Sequence, residues 1–134
     1  LMPAGLEKSV GLITASYIKD INDPQWANSP DIKAFQEFMK KYYPDGDPKE
    51  YNNAYGYMQG HMLVQLLKQC GNDLTRENVM RQAANLKNVE LPMLLPGIKI
   101  NTSPTDFFPL DQQQLGKFDG KEWKIFGELI DLQN

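Results

Sequence analysis

Apolar positions along the chain change their rhythm several times, and each rhythm predicts a different element. Residues 10–17 (VGLITASY) are β-branched, apolar and short, which predicts a buried strand. Residues 19–24 (KDINDP) read as an irregular connection rich in side chains that hydrogen-bond their own backbone. A helix is predicted over 30–43: Ser29 is placed to cap it, Pro30 suits the first helical position, and Asp31 favours the positive end of the helix dipole. Ile32, Phe35, Phe38, Met39 and Tyr42 then form one apolar stripe, and Pro44, Asp45 and Gly46 end the helix.

A second helix is predicted over 53–70, with Gly71 as its stop. Tyr55, Met58, Met62, Leu63, Leu66 and Cys70 share its core face, while Tyr57 and His61 fall on another. Gly56 and Gly60 lie one turn apart inside it. Each costs roughly 1 kcal/mol against alanine, so a packing or site constraint is expected there. A third helix is predicted over 75–87, with the Thr75 hydroxyl capping the amide of Asn78 and with Val79, Ala83 and Leu86 buried. Residues 91–97 (LPMLLPG) form a proline-broken apolar loop, and 98–100 a short strand candidate. Residues 102–106 carry turn chemistry. Two runs, 113–118 and 122–126, flank Asp119-Gly120, a strong hairpin signal.

The resulting order is strand, three helices, strand, hairpin. The first strand then has no obvious parallel neighbour, and isolated strands and lone hairpins are marginal. The pattern therefore reads as an incomplete fold.

Composition narrows the functional classes. With 134 residues, 41% hydrophobic and 23% charged, the chain is of ordinary globular make-up. Its net charge of −3 and scattered basic residues argue against nucleic acid as a partner. No apolar run approaches the ~20 residues needed to span a bilayer. Residues 1–10 carry no secretory signal pattern, a point without weight if the chain is cut from a longer precursor. The single cysteine, Cys70, permits no internal disulfide and no thiolate metal cage.

Catalytic chemistry is poorly supplied. His61 is the only histidine and Cys70 lies nine residues away on the same helix, so both read as structural. No metal-ligand spacing and no phosphate-cradling glycine loop occurs; cofactors are expected to be none, metals none and catalytic residues none. The tyrosines offer more. Tyr17 stands where a strand gives way to a connection, and Tyr55 and Tyr57 stand in the first turn of a helix. Exposed amides and aromatic walls with hydroxyls suit a small amphipathic ligand. The simpler alternative puts Tyr55 in the core and Tyr57 over a surface groove.

One resemblance runs through these segments. The run Ala54-Tyr-Gly-Tyr-Met-Gln-Gly-His-Met-Leu-Val-Gln-Leu-Leu-Lys-Gln-Cys-Gly71, followed by Asp73-Leu-Thr-Arg-Glu-Asn78, resembles the late helical region of type I periplasmic binding proteins. The branch it is most similar to holds the leucine/isoleucine/valine-type, or branched-chain amino acid, receptors. Gly11-Leu-Ile-Thr-Ala-Ser-Tyr17, Leu95-Pro-Gly-Ile-Lys-Ile-Asn-Thr-Ser103 and Phe118-Asp-Gly-Lys-Glu-Trp123 fit the same order. The resemblance implies an α/β fold, of which this chain is a C-terminal fragment with three main helices, short strands and a terminal β-hairpin. Residues 1–18 would end the C-terminal lobe and cross over, 19–108 would belong to the N-terminal lobe, and 109–134 would cross back into the hairpin.

The implied function is the solute-binding component of an ABC importer, not an enzyme. It would be periplasmic, made with a signal peptide in its precursor, and would have a small-molecule ligand and a membrane permease as partners. The ligand would bear a carboxylate: a branched-chain or other amino acid, or an aromatic or keto acid. Tyr57 matches the family's cleft tyrosine, with Tyr55 the close alternative and Tyr17 at the hinge. Upstream groups that grip the ligand carboxylate and amino group in that family have no counterpart here, so the piece alone is expected to bind weakly or not at all. Exposed apolar faces are expected to drive self-association of the truncated chain. A sensory domain of the same fold, or a free-standing interaction module, are the competing readings.

Overall fold

Two helices and one irregular loop carry most of the core, and local chemistry sets where each helix ends. In the computed structural model, which describes residues 5–132, α1 spans Pro30–Tyr42, α2 Tyr51–Cys70 and α3 Arg76–Ala83. Three strands accompany them: β1 at Ile13–Ser16, β2 at Gln112–Phe118 and β3 at Trp123–Asp131. The first four residues of the segment expected to close one lobe, and the last two of the hairpin segment, lie outside the described residues.

Helix α1 begins as its sequence predicts, with one change of partner. Ser29 holds the capping position, but its hydroxyl donates to the Trp26 carbonyl at 2.7 Å and caps nothing. The Asp31 carboxylate instead accepts from the Ile32 amide at 3.1 Å. Ile32, Phe35 and Met39 are buried, whereas Phe38 and Tyr42 at the stripe's edge stay exposed. Helix α2 starts two residues earlier than 53, because the Glu50 side chain accepts from the Asn52 amide and caps a longer helix. Tyr55 and Tyr57 therefore sit in its second turn rather than its first. Ala54, Met58 and Cys70 are its buried residues; Tyr55 and Leu63, expected in the core, are exposed.

Helix α3 stops at Ala83, four residues short of the predicted end. Thr102 explains this: its hydroxyl donates to the Ala83 carbonyl at 2.6 Å and accepts from the Leu86 amide at 2.9 Å. A side chain from elsewhere has taken the groups that one more turn would have paired. Leu86 is still buried, as expected, but in a turn. The Thr75 cap on Asn78 forms as predicted.

The first strand is not the buried, neighbourless element its composition suggests. It is shorter, Ile13 to Ala15 are exposed, and it pairs antiparallel with β2 in the register Ile13↔Lys117 to Ser16↔Gln114. Strand β2 pairs in turn with β3, giving the order β1-β2-β3. The β2–β3 hairpin turns where Asp119-Gly120 predicts: the Asp119 carboxylate accepts from the Lys121 and Glu122 amides, and Gly120 adopts φ 107°. Only glycine takes that backbone angle without strain. Residues 98–100 form no strand; Ile100 makes a lone bridge to Val89.

The proline-broken loop supplies the rest of the core. Met93, Leu94, Leu95, Ile98 and Ile100 are buried against Ile32, Phe35, Met39, Ala54 and Met58. Each such side chain contributes about 1.5–3 kcal/mol on leaving water. The loop also completes the crossover. The Lys19 amide donates to the Met93 carbonyl at 2.8 Å, and the Leu95 amide to the Tyr17 carbonyl at 2.9 Å.

Asp31 fastens this junction. Its carboxylate accepts from the Lys19 ammonium at 2.6 Å and from the Met93 amide at 2.9 Å. Burial pushes its pKa up, but the Lys19 ammonium and the Met93 amide outweigh that and leave it below the usual carboxylate value. Asp31→Asn should cost about 1–3 kcal/mol in urea denaturation, since Lys19 loses its counter-charge. The sign follows from the depressed folded pKa: the ionised form contributes stability above the unfolded-state value near ~4, lost as pH falls through the lower folded value. The wild type should therefore lose stability on acidification with a component that Asp31→Asn lacks.

Candidate functional site

A cleft of about 400 Å³ opens where the sheet meets the helical body. The sheet side contributes Thr14 and Ser16 from β1, Gly116 from β2 and Trp123 from β3. The body contributes Asp20, Asp23 and Trp26 from the connection after β1, and Tyr51 from the first turn of α2. A larger groove of about 660 Å³ lies at the C-terminal end of α1, lined by Met39, Tyr43 and Lys49 among others. It draws no residue from the sheet, so movement between sheet and body would neither open nor close it.

Tyr51 lines the cleft, and Tyr17 and Tyr55 stand close to it. The phenols of Tyr51, Tyr17 and Tyr55 stand close enough to perturb one another's ionisation, with Tyr17 interacting with both of the others. Tyr51 and Tyr55 come together because residues four apart share a helix face, and Tyr17 reaches them at the end of β1. Burial, followed by the repulsion expected from neighbouring Tyr17, Tyr55 and Asp20, pushes the Tyr51 phenol up to about 12. Burial and Tyr55 raise Tyr17 as well.

Tyr57 lies elsewhere. Six residues beyond Tyr51, it points about 240° around the helix and packs among Phe35 at 5.4 Å, Phe38 at 5.0 Å and His61 at 4.5 Å between ring centres. It is half-buried against the core it was expected to avoid. Of the three expected site residues, Tyr17 and Tyr55 thus meet and Tyr57 stays apart. Tyr51 was missed, along with Trp26 and Trp123. The only available signal for Tyr51 was its spacing of four from Tyr55.

The electrostatics of the cleft are one-sided. Asp20 and Asp23 are the charged residues of its lining. Asp23 is buried, accepting from the Gln25 amide and side chain. Lys19 is committed to Asp31 and stands over the Trp26 ring at 5.3 Å. The lining therefore offers carboxylates, hydroxyls and indole faces, a set that suits an ammonium group joined to an apolar body. Elsewhere, Cys70 is buried and free, and His61 is exposed beside Tyr57. Among the described residues, no three His, Cys, Asp or Glu side chains gather as metal ligands, and no helix is long and apolar enough to cross a membrane.

Because the folded pKa of Tyr51 is raised, its neutral form contributes stability that is complete below the unfolded value near ~10 and is lost as pH rises toward 12. Absorbance titration at 295 nm should resolve a tyrosine ionising near pH 12, and Tyr51→Phe should remove it.

Residues 1–117 match the model of the family described as Periplasmic binding protein. By structure the chain is similar to a branched chain amino acid ABC transporter from Thermus thermophilus with bound valine, with a TM-score of 0.65 at 15% identity. That match covers 93% of this chain and 34% of the other, so the chain spans about a third of the length of the protein it resembles. No curated protein matches it by sequence. A sheet, a helical body and a cleft at their junction thus arise in a chain that belongs to the periplasmic binding protein family and carries a fragment of its type I fold.

Proposed function

We propose that this chain is the late portion of an extracytoplasmic solute receptor serving an ABC importer, and that its ligand is a small amino acid. The cleft between sheet and body carries the proposal. In this reading residues 1–18 and 109–134 belong to one lobe and its crossovers, and 19–108 to the other. The connections at Tyr17 to Lys19 and near Pro109 are then the hinge. A ligand seated against Trp26 and Tyr51 on one side and Trp123 on the other touches both parts only when they are close. Its binding energy would then favour closure, and the closed form would dock on a membrane permease.

The charge of the cleft favours an amino acid over a keto acid. Asp20 offers its carboxylate to an ammonium group, while a keto acid would bring a second anion to an acidic wall. Thr14, Ser16 and Tyr51 supply hydroxyls, and further contacts to the ligand carboxylate would come from the larger share of the receptor. Tyr17 and Tyr55 stand beside Tyr51 in this reading, outside the lining itself. Tyr57, the family-matched tyrosine, serves in this reading as packing between α1 and α2.

Chemical-shift mapping with leucine, valine, phenylalanine, the keto acid of leucine and glucose, each at millimolar concentration, tests this. Amino acids should perturb the indole signals of Trp26 and Trp123 and the amides of 14–16, weakly, because part of the cleft is missing. The keto acid should perturb them less and glucose not at all. Equal response to glucose, or shifts confined to the groove at the end of α1, would overturn the reading. Asp20→Asn should abolish the preference for the amino acid over its keto acid.

A further inference from the structure

Ile18, Lys19 and Asp20 run beside the buried loop: Ile18 forms a bridge with Leu94, and the Lys19 amide donates to the Met93 carbonyl at 2.8 Å. Successive side chains of extended backbone leave on opposite sides. Ile18 and Asp20 accordingly line the cleft, while Lys19 turns away from it. The Lys19 ammonium meets the Asp31 carboxylate at 2.6 Å, and the two side chains are only 13% and 19% exposed. From that place it stands 5.3 Å from the centre of the ring of Trp26, a residue of the cleft wall. An ammonium with little water around it is held to an indole face more strongly than one at the open surface.

We infer that Lys19 is a positioning residue: anchored by Asp31, it holds the Trp26 ring as a fixed wall for the apolar body of the ligand, while Asp20 beside it takes the ammonium. This role rests on the cleft binding an amino acid. The backbone of Trp26 is already fixed, its amide donating to the Asp23 carbonyl at 3.0 Å and its carbonyl accepting from the Ser29 hydroxyl at 2.7 Å. What remains free is rotation of the indole about its two side-chain bonds, and a cation over the ring restricts both. Trp123 across the cleft is steadied differently, by the Phe118 ring at 5.3 Å between ring centres. A wall already in place favours binding, because ordering a loose side chain on contact costs affinity. Lys19 therefore governs discrimination among apolar side chains, and Asp20 discrimination between amino and keto acids. Two neighbouring residues, pointing opposite ways, divide the recognition of one ligand.

The chain has two tryptophans, Trp26 and Trp123, so the heteronuclear NOE of their indole N–H groups tests the positioning without any ligand. Lys19→Met should lower the NOE of Trp26 and leave that of Trp123 unchanged, and Lys19→Arg should keep both. Lys19→Met combined with Asp31→Asn leaves no carboxylate unpaired, and should loosen Trp26 in the same way. Titration with leucine, alanine and the keto acid of leucine then reads the consequence. Lys19→Met should reduce the preference for leucine over alanine by about fivefold and leave the preference for leucine over its keto acid intact. A Trp26 NOE unmoved by Lys19→Met, or lost equally in Lys19→Arg, would overturn the inference, as would loss of order at both indoles. A leucine-to-alanine ratio that holds while Trp26 loosens would overturn it too. If the wild type responds to no amino acid, the receptor reading fails, and the ligand-free NOE still decides whether Lys19 holds the ring.

Discussion

One half-buried carboxylate holds the fold's junction together. Asp31 collects the Lys19 ammonium, the Met93 amide and the Ile32 amide, three donors from the crossover, the buried loop and the start of α1. Met93 pays for its place with a positive φ of 71°, which a non-glycine residue adopts only when its surroundings over-determine it. Here they do: its amide meets Asp31, its carbonyl meets the Lys19 amide, and its side chain is fully buried. With the loop so fixed, Leu95 becomes part of the cleft wall, and Lys19 is drawn over Trp26.

That arrangement shapes the site more than any residue inside it. Removing Lys19 from the cleft's charge balance leaves Asp20 and Asp23 to set its sign. Tyr17, at the end of β1, stands close enough to Tyr51 and Tyr55 in the first turns of α2 for their phenols to perturb one another. Sheet and body meet through few elements, chiefly the extended stretch after β1 and partly buried side chains such as Ile125 and Leu129.

The same economy leaves apolar surface uncovered. Leu63, Val64 and Leu67 on α2 and Val10, Leu12 and Ile13 around β1 are all large and exposed. Such surface in a chain spanning a third of its structural relative is consistent with elements shaped for contact on more sides than this chain supplies.

Local signals in the sequence were enough for the three helices, the Asp119-Gly120 hairpin and the Thr75 cap, because capping, backbone angles and 3.6-residue periodicity are decided within a few neighbours. They also singled out Tyr17 and Tyr55, which the fold brings near each other. Contacts distant in sequence decided the rest. Thr102 cut α3 short from nineteen residues away, β2 turned an apolar strand into an exposed edge of the sheet, and the loop 91–100 became core by filling the space between two helices. Tyr51 joined Tyr17 across the chain while Tyr57 turned inward to Phe35. Periodicity says which residues share a face; only the tertiary structure decides what that face meets, since a side chain's partner is set by packing between elements that no local window contains.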